Sequence, residues 1–276
     1  MLINGQKTER IDAIDRAIAY GDGLFSTFKL EFGKVVRWDL HLKRFKKGAE
    51  KLFFPKVDWC LLESEVTSLA LTVADKPQAV LKVILSRGVG GRGYSSLGCH
   101  DVVRIISLHD FPAVYPKWQT EGIEVIACDY QLSNNKTLAG LKTLNRLEQV
   151  LIKREIESKN AIDGIVCDQN GVVIEACAAN VFCYKQGVWL TPCLDLAGVK
   201  GVMRESILQA AKKSKIVIQE VNLRPDDLLL ADALCLTNSL MGIVPVNQYQ
   251  QKYYNQNKMK IIEELKQLVM GSNNLS

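Results

Sequence analysis

Two short segments of the sequence carry residues whose types could do chemistry. The first, LAGLKTLNRLEQVL at residues 138–151, contains Lys142 soon after a glycine, at the predicted start of an amphipathic helix. The second, IEACAANVF at residues 174–182, places Glu175 among small residues before an apolar strand. Pyridoxal phosphate needs an amine for its aldehyde and an anion that keeps its ring nitrogen protonated. One lysine and one acid in these settings suit that cofactor and indicate an enzyme.

The predicted position of Lys142 supports a chemical role for it. Most lysines are exposed surface residues. In the first turn of a helix a lysine opposes the helix dipole, so stability alone would favour an acid there. Burial and a nearby cation lower the pKa of a lysine, which a Schiff-base lysine requires. We therefore predict that Lys142 is the reactive amine.

Two further segments could bind a phosphate group. The loop LAGVKGVMR at residues 196–204 bears glycines and enters a predicted helix, so its backbone N–H groups and the positive end of the helix dipole suit an anion. The segment Thr237-Asn238-Ser239 follows an apolar strand and offers hydroxyl and amide donors. Each segment has a plainer alternative, an ordinary loop in the first case and a polar strand end in the second.

Size and composition restrict the class of protein. A chain of 276 residues can form two modest domains or one large one, and 47% hydrophobic with 24% charged residues is typical of a globular protein. The net charge of +5 comes from dispersed Lys and Arg residues, so we interpret the basic cluster at 43–47 as a solvated helix face. No apolar run approaches the roughly 20 residues that cross a bilayer. We expect no nucleic-acid or membrane partner, only a small-molecule substrate.

The eight cysteines are expected to be reduced thiols. The start MLINGQKTER lacks the charged and apolar regions of an export signal, so we expect a cytoplasmic protein, in which disulfides are rare. No C-x-x-C motif occurs, and the three histidines do not pair with cysteines at the spacing of zinc ligands. We therefore expect no metal site.

Hydrophobic patterning predicts two lobes of the α+β class, with ligands between them. The segment 111–116 contains two prolines and predicts a linker, so the lobes would be residues 1–115 and 116–276. The first lobe is predicted to have a hairpin around Phe32-Gly33, helices at 39–53 and 61–73, and strands at 79–85 and 102–108. The second is predicted to have strands at 123–128, 164–168, 172–175, 181–184, 216–221 and 233–237 and helices at 142–158 and 202–211.

Eight motifs, in their order along the chain, resemble the class IV aminotransferase family of fold type IV pyridoxal-phosphate enzymes. They are INGQ, DRAIAYGDGLFST, HLKRF, SRGVGGRGYS, AGLKTLNRLEQVLIKRE, EACAANVF, LDLAGVKGVMRES and TNSLMGIVPV. The resemblance covers nearly the whole chain up to about residue 250. It implies a smaller N-terminal lobe, a larger C-terminal lobe, pyridoxal 5′-phosphate at their interface and a homodimer.

The resemblance also implies roles for single residues. Lys142 would hold the cofactor covalently, Glu175 would pair with its pyridine nitrogen, and Arg44 of HLKRF would bind its phosphate through a planar fork that suits phosphate oxygens. The phosphate cradle would be completed by the backbone N–H groups of Val202 and Met203 and by the hydroxyl of Ser239.

The partner of the cofactor's O3′ departs from the family pattern. The branched-chain enzymes of the family have a tyrosine five residues after the lysine, and here that position is Leu147. Asn145 is the alternative candidate for this contact. It lies three residues after the lysine and carries an amide that can donate a hydrogen bond.

The motifs SRGVGGRGYS and AGLKTLNRLEQ resemble the lyase branch of the family more than its aminotransferases. That branch implies conversion of 4-amino-4-deoxychorismate to 4-aminobenzoate and pyruvate, in folate biosynthesis. The resemblance makes Arg92 the candidate for a substrate carboxylate, with Tyr94 as its hydrogen-bonding neighbour, whereas Arg87 ends a strand and is expected to be structural. The alternative is an aminotransferase acting on D-alanine or branched-chain amino acids. A non-catalytic relative is disfavoured because Lys142 and Glu175 are both present.

Overall fold

The computed structural model describes residues 1–214, 216–255 and 257–273. The chain divides into two compact units, one formed by residues 1–112 with 141–146 and the other by residues 113–140 with the chain from 147 onward. The prediction placed the boundary at residue 115 and assigned all of residues 116–276 to the second lobe. That prediction is wrong for the segment 141–146, which contains Lys142 and belongs to the first unit.

The first unit is built on a six-stranded antiparallel sheet with the strand order β2-β1-β6-β5-β3-β4. Its elements are β1 (Leu2–Ile3), β2 (Gln6–Lys7), α1 (Arg16–Tyr20), β3 (Gly23–Glu31), β4 (Lys34–Val35), α2 (Trp38–Lys51), α3 (Trp59–Leu71), β5 (Gln78–Ser86) and β6 (Val103–Asp110). The short α1 and the two-residue strands β1 and β2 carry too little hydrophobic periodicity to be predicted.

The predicted hairpin between β3 and β4 is confirmed. The two strands pair antiparallel, with Leu30 opposite Val35. The connecting residues Phe32 and Gly33 have φ values of 47° and 72°. A two-residue turn with two positive φ values matches the twist of the flanking strands, and glycine adopts such a φ without steric cost.

Helices α2 and α3 cover one face of this sheet. Helix α2 begins at Trp38, one residue before its predicted start, and Arg37, with φ 59°, precedes it. Helix α3 begins two residues before its predicted start, where the Asp58 carboxylate accepts the N–H of Leu61 at 2.9 Å. Such a side-chain cap satisfies a backbone donor that has no partner within the helix.

The core of the first unit lies between β3 and the two helices. Alternate residues of a strand point to one face, and the inward residues of β3 are Leu24, Ser26, Phe28 and Leu30, each at most 3% exposed. They pack against the buried face of α2, formed by His41, Phe45, Gly48 and Ala49. Ser26 is the one polar side chain among the four inward residues of β3.

The second unit is built on a nine-stranded mixed sheet. Its order is β12-β11-β10-β13-β14-β7-β8-β9, with β15 paired to β14. Its elements are α4 (Tyr115–Glu121), β7 (Ile123–Leu132), α5 (Leu147–Ser158), β8 (Asp163–Asp168), β9 (Val173–Ala176), β10 (Asn180–Lys185), β11 (Val188–Pro192), α6 (Val202–Ser214), β12 (Ile218–Val221), α7 (Pro225–Leu229), β13 (Ala233–Asn238), β14 (Gly242–Tyr249), β15 (Lys252–Tyr253) and α8 (Asn257–Asn273). Strands β7 and β8, β7 and β14, and β11 and β12 pair parallel.

Strand β10 shows how this sheet is buried on both faces. Val181 and Cys183 belong to one apolar cluster, whereas Phe182 packs in another with Met203 and Ile207 of α6. A third cluster joins α5 to β8 and β9. Strands covered on both sides consist of continuous apolar runs, which is why the sequence predicted β8, β10 and β13 with nearly correct bounds.

The helix predicted to begin at Lys142 is wrong in its first turn. Helix α5 begins at Leu147, and residues 141–146 are not helical. The predicted linker at 111–116 instead leads into α4, which has Pro116 at its start, a position where a missing N–H costs nothing. The sequence also left α7, α8, β11 and β14 unpredicted.

All eight cysteines are free thiols. In the described ranges, no group of three or more His, Cys, Asp or Glu side chains is arranged to hold a metal ion. None of the described helices is both long enough and apolar enough to cross a membrane.

Candidate functional site

Lys142 lies in an extended segment beside β3. Its carbonyl accepts the N–H of Phe25 at 3.0 Å, and the N–H of Leu144 donates to the carbonyl of Gly23 at 3.0 Å. The side chain of Lys142 is half-buried, with its Nζ 4.4 Å from the centre of the Phe25 ring. The helix-dipole argument for this lysine is therefore wrong, since pairing with the sheet fixes its position.

Arg146 fixes the backbone on both sides of Lys142. Its Nη2 donates to the carbonyl of Leu141 at 2.7 Å and its Nε to the carbonyl of Thr143 at 3.0 Å. A guanidinium presents its donors in a rigid plane, so two such bonds define the path of the chain between them. Sequence reasoning missed this residue, although it lies within the motif AGLKTLNRLEQ.

Asn145 lies in the same segment with an exposed side chain. Its Nδ2 donates to the carbonyl of Gly21 at 3.1 Å, which ties the segment to the turn after α1. The amide proposed as a partner for the cofactor's O3′ therefore already has a structural bond. That leaves its second N–H and its oxygen for any further contact.

Arg44 is held by a chain of two buried side chains. Its Nη2 donates to Ser26 Oγ at 2.7 Å, and Ser26 Oγ lies 2.6 Å from Nδ1 of His41. His41 is 1% exposed and its ring centre lies 4.1 Å from that of Phe28. Sequence reasoning selected Arg44 and overlooked its two partners, even though HLKRF puts His41 three residues before it, on the same face of α2.

The charges around Arg44 are predominantly positive. Burial, followed by repulsion from Arg146, lowers the pKa of Arg44 to about 10. Burial also lowers the pKa of His41 well below its usual value, assisted by the charges of Arg44, Arg37 and Lys142, so His41 is neutral at pH 7. Across residues 1–214, 216–255 and 257–273 no carboxylate forms an ion pair with Arg44. A cationic group of this kind favours an anionic ligand.

In the second unit, Glu175 occupies β9 and is 5% exposed. Its Oε2 accepts the N–H of Val199 at 2.9 Å. The adjacent Gly198 has φ 79°, and a Cβ there would lie 2.6 Å from Ile174 Cγ2 and 3.2 Å from Glu175 Oε2. Both the conformation and the space at this position therefore require glycine.

Asn180 holds the loop that follows Val199. Its Nδ2 donates to the carbonyl of Val199 at 2.8 Å and its Oδ1 accepts the N–H of Gly201 at 3.1 Å. The side chain is 5% exposed, so both bonds are made in a buried setting where unpaired polar atoms are costly. Asn180 is a second residue of the candidate site that the sequence did not reveal, since an asparagine at the start of a strand has no distinctive signature.

The loop 198–201 delivers the start of α6. The N–H of Glu205 donates to the carbonyl of Gly201 at 2.9 Å, so the N–H groups of Val202 and Met203 precede the first intrahelical bond. Their side chains are buried, at 3% and 6% exposure. Both N–H groups lie at the positive end of a 13-residue helix, a setting suited to a phosphate.

The segment after β13 forms a turn. Asn238 Oδ1 accepts the N–H groups of Leu240 at 2.9 Å and Met241 at 2.8 Å, which shapes the backbone around Ser239. The hydroxyl of Thr237 is wholly buried and has no hydrogen-bond partner among the described residues. The predicted hydroxyl and amide donors are therefore grouped at the end of β13 and in the turn that follows it.

The predicted substrate residues Arg92 and Tyr94 lie on an exposed loop of the first unit, and Tyr94 is 90% exposed. The buried Arg16 anchors this loop by donating to the carbonyls of Gly93, Tyr94 and Ser95 at 2.9–3.2 Å. The guanidinium of Arg87 bonds the Asp22 carboxylate at 2.7 Å and two backbone carbonyls, so its expected structural role is confirmed.

The chain belongs to the amino-transferase class IV family, whose model matches residues 23–249. It is 37% identical over 245 residues to an aminodeoxychorismate lyase from Vibrio harveyi, with 89% of each chain covered. It is 26% identical to a D-alanine aminotransferase from Bacillus licheniformis, over 89% of this chain and 87% of that protein.

The crystal structure of 4-amino-4-deoxychorismate lyase from Pseudomonas aeruginosa superposes with a TM-score of 0.89 at 30% sequence identity. The superposition covers 96% of this chain and 98% of that one. The family resemblance and the α+β fold type IV expected from the sequence are confirmed.

Proposed function

We propose that this chain is a pyridoxal-phosphate-dependent lyase that converts 4-amino-4-deoxychorismate to 4-aminobenzoate and pyruvate, a step of folate biosynthesis. The similarity to the Vibrio harveyi lyase over 89% of both chains carries this proposal. The reaction needs an amine, an acid and binding groups for a phosphate and a carboxylate, and residues of each kind are present.

The residues of each unit fit pyridoxal phosphate. In the first unit, Arg44 is a cation without a carboxylate partner among the described residues, which suits a phosphate. In the second, the N–H groups of Val202 and Met203 suit the same anion, and Glu175 is a buried acid that suits a protonated ring nitrogen. We propose that these residues, together with Lys142, Ser239 and Asn145, are the cofactor-binding residues of the chain.

When bound, the cofactor supplies an aldehyde for the substrate amine and a ring that withdraws electrons. Lys142 Nζ acts as the general base that takes the proton from the amine-bearing ring carbon of the substrate. Glu175 holds the proton on the pyridine nitrogen, and Arg92, with Tyr94 beside it, binds a substrate carboxylate. Enolpyruvate then leaves from the adjacent carbon, and formation of the aromatic product makes that step effectively irreversible.

The test follows 4-aminobenzoate and pyruvate in parallel, first without any keto acid and then with D-alanine and 2-oxoglutarate. We expect equal amounts of both products without an acceptor acid, because the lyase reaction uses one substrate. The second candidate is an aminotransferase, favoured by the 26% identity to the D-alanine enzyme. Product formation that depends on the amino acid and keto acid pair would establish that candidate instead.

The same proposal includes a cytoplasmic homodimer. The eight free thiols suit a reducing compartment. Exposed apolar residues on α5, including Leu147 at 71% and Val150 at 60%, offer a surface that a second copy could cover. Sedimentation at micromolar concentration should give twice the mass of one chain, and the mass of a single chain would contradict the dimer.

A further inference from the structure

Ser26 is a polar side chain in an apolar layer. Its neighbours on the inner face of β3 are Leu24, Phe28 and Leu30, and its own exposure is 0%. A hydroxyl is tolerated in such a place only when its hydrogen bonds are made within the protein. Its partners therefore indicate why the strand carries a serine at this position.

One of the two hydrogen bonds of Ser26 has a defined direction. A guanidinium can only donate, so Ser26 Oγ accepts from Arg44 Nη2 at 2.7 Å. His41 is kept neutral by burial and by the surrounding cations, and Ser26 Oγ lies 2.6 Å from its Nδ1. Ser26 Oγ therefore accepts from Arg44 and makes its second hydrogen bond to the His41 ring. The packing of His41 against Phe28 fixes the far end of this chain.

The hydrogen bond from Arg44 to Ser26 restrains the arginine side chain. Among the described residues no carboxylate forms an ion pair with Arg44 that would do so. Arg44 has several rotatable bonds, and the hydrogen bond from its Nη2 to Ser26 restrains the orientation of the guanidinium. A fork aimed in one plane binds two phosphate oxygens at once, whereas a free one must give up rotational freedom on binding. The orientation of the fork therefore affects how tightly a phosphate is held.

We propose that Ser26 and His41 are positioning residues that hold the guanidinium of Arg44 in the orientation that binds the cofactor's phosphate. The inference rests on the proposed function, which assigns Arg44 to that phosphate. Neither residue needs to touch the cofactor. Their contribution should appear in the affinity for the phosphate group and leave the aldehyde chemistry of Lys142 unaffected.

The test compares pyridoxal phosphate with pyridoxal, which carries the same aldehyde and lacks the phosphate. The full-length chain is freed of cofactor and titrated with each compound, and binding is followed by absorbance. The ratio of the two dissociation constants reports phosphate recognition alone. The variants are Ser26→Ala, Ser26→Thr, Arg44→Ala and the double variant. Ser86→Ala is the matched control, because Ser86 is an equally buried serine on the neighbouring strand β5.

We expect Ser26→Ala to reduce the preference for pyridoxal phosphate by about ten- to one-hundred-fold, the usual effect of a hydrogen bond to a charged group. Ser26→Thr keeps the hydroxyl and should stay within about threefold of the parent chain, and Ser86→Ala should not change the ratio. Adding Ser26→Ala to Arg44→Ala should cost nothing further, because the serine acts through the arginine.

Equal weakening of both compounds by Ser26→Ala would overturn the inference, since the serine would then serve the fold alone. An unchanged ratio in Ser26→Ala, beside a reduced one in Arg44→Ala, would overturn it as well and leave the cofactor assignment intact. An unchanged ratio in Arg44→Ala would overturn both the inference and the assignment of Arg44. Failure to form 4-aminobenzoate with all expected ratios observed would reject only the proposed reaction.

Discussion

The two units concentrate positive charge by different means. The first unit uses charged side chains: Arg44, Arg37 and Lys142 act on the neutral His41, and Arg146 acts on Arg44. The second unit uses backbone N–H groups at the start of α6, and the loop before them is shaped by Asn180 and Gly198. Charges tolerate small displacements, because their attraction falls off slowly with distance. A backbone N–H group binds an anion only when it points at it. The second unit therefore depends on the close packing that fixes the loop before α6.

The acid and the base of the proposed chemistry also differ in how they are held. Lys142 is fixed through its backbone, by β3 on one side and by the Arg146 guanidinium on the other. Glu175 is fixed through its carboxylate, which accepts the N–H of Val199. We infer that Lys142 is positioned through its backbone, whereas Glu175 is positioned through its side chain.

The largest expected effect is the loss of Lys142. Lys142→Ala should lower turnover by about 10²- to 10⁴-fold or more, because the general base and the covalent link are removed together. Borohydride reduction of the parent protein, followed by peptide mapping, should place the pyridoxyl group on residue 142. Lys153→Ala, which changes an exposed lysine on α5, is the matched control and should retain normal turnover. A label on Lys136 or Lys200 would contradict the assignment.

The next largest effect concerns Glu175. Glu175→Gln should lower turnover by roughly two orders of magnitude or more, about 3 kcal/mol of barrier, because a neutral amide cannot keep the ring nitrogen protonated. The amide oxygen can still accept the N–H of Val199, so the loop and the cofactor content should be preserved. Single-turnover kinetics and cofactor absorbance measure the two quantities separately. Glu124→Gln, at an exposed position on β7, serves as the control. Near-normal turnover in Glu175→Gln would remove the acid from the mechanism.

The steric demand of the second unit can be measured at Gly198. Gly198→Ala should destabilise the protein by about 1–3 kcal/mol and weaken cofactor binding, because the new Cβ would meet Ile174 Cγ2 at 2.6 Å. Gly187→Ala separates conformation from contact. Gly187 has a similar φ of 84°, and a Cβ built there meets no described atom within 4 Å. Urea unfolding of both variants should show the larger loss for Gly198→Ala. Equal losses would mean that the loop is not closely packed against Glu175.

Most of the fold could be predicted from period-two and helical patterns. Strands β5, β8 and β13 and helices α2, α3 and α6 were predicted within a few residues, because each has an apolar face or run that nothing overrides. The start of α5 was predicted incorrectly. The spacing of Leu141, Leu144 and Leu151 is typical of a helix. The segment that contains Leu141 and Leu144 is nevertheless extended, because it pairs with β3 and is bonded by Arg146. Tertiary contacts outweighed local preference there.

The residues of the candidate site could be predicted from the sequence only where the residue type itself indicates a chemical role. A lysine, an acid and an arginine in motifs such as AGLKTLNRLEQ, EACAANVF and HLKRF carry such information. Ser26 and Asn180 do not, because their importance lies in being buried beside Arg44 and Val199. Burial of a single polar residue depends on the whole fold and leaves no local periodicity. The positioning residues were therefore the part of the site that required the structure.

The smallest expected effect lies on the exposed loop of the first unit. Arg92→Ala should raise the KM for 4-amino-4-deoxychorismate by about tenfold, or about 1.4 kcal/mol, with little change in cofactor absorbance. A buried ion pair would cost more when broken, but Arg92 is exposed and water screens its charge. Arg10→Ala, at an exposed arginine outside the loop, is the control and should leave KM unchanged. Raising the ionic strength should diminish the effect of Arg92→Ala, since salt screens exposed charges. A fall in kcat with KM unchanged would instead place Arg92 at the reacting atoms.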